Sequence, residues 1–117
     1  MIAHLFVYGT LMPGRGRWPA LAPWAIGRSA PDSVTGQLFD TGYGWPAAVI
    51  GQGNPIPGFK IALSPHALPE ALDALDEIEG THHGLFRRVS AMTESGARAW
   101  LYEWLGPTDG FVPIDYW

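Results

Sequence analysis

Residues 64–80 form the strongest helical segment of the chain, and one carboxylate within it falls out of pattern. Winding the segment at about 100° per residue from Leu68 places Ala71, Leu72, Leu75 and Ile78 within about 80° of that residue, a single apolar stripe. Glu77 lies at about 180° and Asp73 near 140°, on the solvated side. Glu79 returns to about 20°, where a leucine would be expected. A charge buried there is costly unless it is paired, hydrogen-bonded or neutralised. The negative end of the helix dipole adds to the cost. Both effects raise the pKa of a carboxyl toward neutrality and make Glu79 a candidate general base and acid. The other reading is that the helix stops at Ile78 and Glu79 frays outward as a charged cap.

The second feature is Phe6-Val-Tyr-Gly-Thr-Leu11, an apolar run that ends on glycine and a small polar residue. A glycine after a strand often serves a phosphate. Here no Gly-Lys-Ser/Thr follows, and Gly9, Gly14 and Gly16 do not have dinucleotide-loop spacing, so the turn needs another ligand. Glu79-Gly-Thr-His82 imitates the Glu-x-x-His pair of carboxylate-bridged metal sites, but Gly80 should end the helix and no second copy exists, so no metal is expected. No Gly-x-Ser-x-Gly elbow occurs. His82 and His83 read as loop histidines at the rim of a site, with contact to a ligand open to one of them.

These residues need a scaffold. Residues 2–8 carry β-formers on both faces and read as a central strand buried on both sides. Residues 9–31, dense in Gly and Pro, read as loop with one short helix around Trp18–Trp24. Further strands are expected at 34–39, 47–50, 58–63, 86–93 and 97–104, the last two joined by a hairpin turn at Glu94-Ser95-Gly96. Ser64 suits a helix cap, Pro65 a first turn and Gly80 the residue past the end. Pro69 means either that the first turn is separate or that the helix is kinked. Arg87 and Arg88 alternate faces on a strand; exposed edge charge is the favoured reading, with pairing to a carboxylate near the site as the other. The apolar tail Phe111–Trp117 should dock.

At 117 residues the chain reads as a single domain spanning 1–117. It has no cysteine, which excludes disulfides, thiolate nucleophiles and thiolate metal sites. The net charge is -4 and the arginines are dispersed as Arg15, Arg17, Arg28, Arg87, Arg88 and Arg98, which argues against nucleic acid as a partner. Nothing approaches a membrane span or a signal peptide, so no membrane partner and a cytoplasmic location are expected. Six tryptophans in an acidic chain suit core and pocket walls better than base stacking.

Phe6–Leu11 behind a first strand, Gly44-Trp-Pro-Ala47 with Val49 close behind, and Leu75-Asp-Glu-Ile-Glu-Gly80 followed by Phe86-Arg-Arg-Val89 together resemble the gamma-glutamylcyclotransferase family, in its AIG2-like and gamma-glutamylamine cyclotransferase branch. The resemblance runs from Phe6 to Ile114-Asp-Tyr-Trp117. It implies an α+β fold, a small mixed β-barrel with flanking helices and an active site at one mouth. It also implies Glu79 as the catalytic acid/base and Tyr8, Gly9, Thr10 and Leu11 as the substrate-binding loop, whose backbone amides hold a gamma-glutamyl head. The expected reaction is cofactor-free: the α-amine of a gamma-glutamyl amine or peptide closes on the side-chain carbonyl, releasing 5-oxoproline and an amine. The alternative is a non-catalytic small-molecule-binding domain of the same fold. Phe86 stands where the family usually has tyrosine.

Overall fold

The structure, a computed structural model, describes residues 1–117, the side chain of His82 excepted. The apolar run near the N-terminus becomes β1 (His4–Val7), and it is central as its two-faced pattern predicts. On one side it pairs antiparallel with β4 (Asn54–Leu63), from His4 opposite Ala62 to Val7 opposite Phe59. On the other it runs parallel to β6 (Arg98–Trp104), Leu5 meeting Trp100. With β2 (Ala25–Asp40), β3 (Pro46–Ile50) and β5 (Phe86–Met92) the strand order is β3-β2-β4-β1-β6-β5. A short β7 (Val112–Ile114) pairs with β2 at Leu38–Asp40, so the tail docks as a strand. The sheet curls until Ile50 of edge strand β3 donates its N–H to Glu103 of β6 at 2.8 Å, giving a mixed half-barrel flanked by helices, an α+β fold.

Successive β1 residues face opposite cores. Leu5 and Val7 join Leu63 and Tyr102 beneath the helix α2 (Leu68–Ile78), while Phe6 and Tyr8 join Val34, Leu38 and Leu101 inside the curl. The helix stripe is buried at Leu68, Ala71, Leu72 and Leu75, with Asp73 and Glu77 exposed. Each large apolar side chain withdrawn this way contributes about 2 kcal/mol. Ile78 departs from the stripe: it is 36% exposed and lines a cavity at the helix end. A 3-10 turn at Pro65–Ala67 precedes the helix, so the first turn is separate, with Pro69 in the first turn of α2. Ser64 makes no side-chain capping bond, contrary to expectation.

Two strands outrun their sequence signals. β2 begins at Ala25 rather than 34, in a stretch expected to be loop beyond the short helix α1 (Trp18–Leu21) and a 3-10 turn at Ala22–Trp24. Gly27 at φ +66° and a register shift between Ile26 and Ala30 form a bulge that breaks the alternation. β4 includes Pro55 and Pro57. They pair with Thr35 and Ser33 where β1 has already ended, so their missing N–H groups cost no ladder bond to β1. The β5–β6 hairpin turns at the expected place, closed by Thr93 N–H donating to Ala97 at 2.7 Å with Gly96 at φ +90°. Asp32 pins this hairpin to β2. Burial disfavours its charge, yet hydrogen bonds from Ser95 and Ser33 help hold its carboxyl down at about 2.

Candidate active site

The helix end decides where Glu79 points. Its N–H still donates to Leu75 at 2.9 Å, and Gly80 turns the chain away at φ +71°. Two side chains occupy the carbonyls that a helix C-terminus leaves unpaired: Thr81 Oγ1 donates to Asp76 at 3.1 Å and Arg17 Nη1 to Ile78 at 3.3 Å. The regular helix does stop at Ile78, as one reading held, yet Glu79 does not fray outward. Its side chain is 14% exposed and borders a cavity of about 280 Å³. Burial raises its pKa above the usual carboxylate range, and Arg17 opposes the rise through an ion pair at 3.9 Å.

The facing wall is the turn after β1. Tyr8, Gly9, Thr10 and Leu11 all line the same cavity, so the two motifs that are far apart in sequence meet there. Met12 N–H donates to Gly9 at 3.0 Å, closing the turn, and Arg17 N–H donates to Thr10 at 2.8 Å, which folds the loop back. The amides of Gly9, Thr10 and Leu11 make no hydrogen bond among the described residues. They are donors unspent within the fold. Tyr8 contributes no free hydroxyl: it donates to the Tyr102 carbonyl, and burial followed by the Glu79 charge pushes its pKa up.

Gly9 has a different reason from the one its position suggests. A Cβ there would lie 2.6 Å from Pro46 Cγ and 2.9 Å from Cδ. The glycine lets the Pro46 ring rest on the turn, so the requirement comes from the second motif, Gly44–Ala47, rather than from a ligand. That motif also supplies Trp45, held by Thr41 Oγ1 donating to its carbonyl at 2.7 Å. Trp45 and Phe86, ring centroids 5.7 Å apart, form an aromatic side of the cavity backed by Trp104. Phe86 thus takes part as a wall without a hydroxyl.

Three further groups near the site lay outside the sequence reading. Tyr102 lines the cavity and donates its hydroxyl to Asp76 at 2.8 Å. Burial, then that bond and the charges of Asp76 and Glu79, raises its pKa and keeps it protonated. Asp76 is also gripped by Arg88, Nε at 2.9 Å, and the guanidinium lies 4.4 Å over the Trp100 ring. Arg87 pairs with Glu103 at 3.0 Å on the opposite face. Arg87, 60% exposed on edge strand β5, fits the favoured reading of exposed edge charge even though it is paired, whereas Arg88, 23% exposed and bound to Asp76, takes the other reading, pairing with a carboxylate near the site. Asp76 had a signal: at about 80° on the helical wheel it flanks the stripe. Arg17 had none, because its placement depends on a loop closing onto a distant helix end. Among the described residues, no group of three His, Asp or Glu side chains is gathered to hold a metal, and the side chain of His82 lies outside them.

The sequence model of the family described as Gamma-glutamyl cyclotransferase, AIG2-like matches residues 5–117. The chain belongs to this family. Among curated proteins none matches. Among solved structures, an uncharacterized protein from Pyrococcus horikoshii is 26% identical with a TM-score of 0.73, the alignment covering 97% of this chain and 86% of that one. The ytfP protein of Escherichia coli is 28% identical with a TM-score of 0.58, covering 97% and 92%. An AIG2-like protein from Mus musculus, 18% identical with a TM-score of 0.71, covers 99% and 88% and shares the fold. Membership supports cyclotransferase chemistry at the level of the family.

Proposed function

We propose that this family member converts a gamma-glutamyl amine or peptide to 5-oxoproline and a free amine, with Glu79 as the acid/base. The observation that carries the reading is one cavity with a largely buried carboxylate on one wall and the Gly9 to Leu11 turn on another. The reaction is an intramolecular acyl transfer. Glu79 takes a proton from the substrate ammonium, the freed nitrogen attacks the side-chain carbonyl carbon, and the N–C bond closes a five-membered ring. As the tetrahedral oxyanion collapses and the bond to the departing nitrogen breaks, Glu79 gives its proton to that nitrogen, then takes the second proton from the ring nitrogen and passes it on to the released amine. No protein nucleophile is needed, and positioning supplies much of the rate.

The raised pKa of Glu79 suits both halves of that task, since burial makes its carboxylate a stronger base than an exposed one and the carboxyl so formed can return the proton. Amides of the Gly9–Leu11 turn hold the substrate and stabilise the oxyanion, a contribution of about 3 kcal/mol per donor in comparable sites. The departing amine lies against Trp45 and Phe86. At about 280 Å³ the cavity is at the small end for ligand sites, which favours a gamma-glutamyl head carrying a modest amine. The test is 5-oxoproline release from a panel of gamma-glutamyl compounds by the wild type and Glu79→Gln. A loss of about 10²-fold or more in the variant is expected; equal rates would remove Glu79 from the mechanism.

A further inference from the structure

Arg17 is the one lysine or arginine among the described residues that line the cavity. It sits between the two working walls: its own N–H is bound to Thr10 of the amide turn, and its Nη1 reaches Ile78 and Glu79 at the helix end. At 3.9 Å the contact with Glu79 is too long for a hydrogen bond, and Nε and Nη2 have no partner among the described residues. The Arg17 side chain is 46% exposed. It therefore presents unspent donors beside the carboxylate that receives the proton, on a loop tethered to the turn.

A gamma-glutamyl head carries two charges on one carbon, an ammonium and a carboxylate. Glu79 attracts the first and repels the second. Without a cation beside it, the α-carboxylate would have to approach a buried negative charge uncompensated, a costly arrangement in a partly desolvated cavity. Arg17 offers a planar fork that matches a carboxylate in two-point fashion. Resting on the reaction proposed above, we infer that Arg17 binds the α-carboxylate of the gamma-glutamyl head, so that this chain selects substrates by the carboxylate as well as by the amine. The zwitterion then spans the Arg17–Glu79 pair, its carboxylate on the guanidinium and its ammonium on the carboxylate.

Two matched pairs of compounds test this. Gamma-glutamyl anilide and 4-aminobutyryl anilide undergo the same ring closure, to 5-oxoproline and 2-pyrrolidinone, and differ only in the carboxylate. The wild type should prefer the first by about 100-fold in kcat/KM, and Arg17→Gln should reduce that preference to below about 5-fold. Arg17→Lys should recover only part of it, because an ammonium lacks the fork. The second pair is read by calorimetry without turnover. 5-Oxoproline should bind the wild type more tightly than 2-pyrrolidinone, and Arg17→Gln should erase the difference, with thermal melts confirming that the variant is folded. A preference unchanged in Arg17→Gln, with both anilides slowed equally, would make Arg17 only a charge that tunes Glu79 and overturn the inference. Failure of the wild type to bind 5-oxoproline would overturn it too. Arginine-dependent binding of 5-oxoproline without turnover of either anilide would uphold the Arg17 assignment and overturn the cyclotransferase reading.

Discussion

Replacing Gly9 by alanine tests whether the turn is shaped by packing or by ligand approach. The new Cβ would stand 2.6 Å from Pro46 Cγ and 2.9 Å from Cδ. Carbon contacts are comfortable at about 3.5–4.0 Å, so roughly 1 Å must be found somewhere. A proline ring cannot swing aside as a flexible side-chain end would, and Pro46 is buried at the start of β3, paired with Asp40. The strain therefore passes to the backbone. Overpacking of this kind costs about 1–3 kcal/mol, which in a domain of this size lowers Tm by roughly 4–12 °C. Movement of the turn also displaces the Thr10 and Leu11 amides, and a misplacement near 1 Å costs about 10²-fold in rate. The assay is a double-mutant cycle: urea melts and 5-oxoproline release for Gly9→Ala, Pro46→Ala and the pair. In the Pro46→Ala background, where Cγ and Cδ are gone, Gly9→Ala should cost less than about 0.5 kcal/mol, a coupling of at least about 0.5 kcal/mol. Gly9→Ala as stable as the wild type, or equally harmful with and without the ring, would refute the packing argument and return the glycine to the ligand.

Other outcomes follow from the same geometry. Because burial raises the Glu79 pKa, the folded state holds this proton more tightly than the unfolded chain, and the contribution of Glu79 to stability falls as pH rises from the ordinary glutamate value through the raised one. Glu79→Gln should therefore match the wild type in acid and exceed it in Tm at neutral pH; a parallel offset at every pH would refute this. Tyr102→Phe removes a hydroxyl donated to Asp76, which keeps its Arg88 partner, so a loss of about 1–2 kcal/mol in denaturant melts is expected. No loss would show that water replaces the phenol.

The inward face of Glu79 was legible because a helix has one period, and that period carried Glu79 to about 20° while Leu68, Leu72 and Leu75 marked the core. The central position of β1 was legible for a similar reason, since β-formers on both faces of Leu5–Val7 need cover on both. The first half of β2 was not. Its bulge at Gly27 interrupts the alternation, and its pairing with β4 is fixed only when β4 lies beside it. Pro55 and Pro57 hid the start of β4 because their tolerance depends on where β1 ends, a fact about a neighbouring strand.

The site divides along the same line. Local periodicity turned the carboxylate at the helix end toward the core, with outward fraying as the other reading, and Gly9 marked a turn behind the first strand. Those are properties of consecutive residues. Tertiary structure decided what each would meet: Pro46 on Gly9, Arg17 across from Glu79, and Tyr102 and Arg88 converging on Asp76. Such pairs lie 12 to 62 residues apart and come together only when helix, loop and sheet pack on one another, which is set by how the whole core packs.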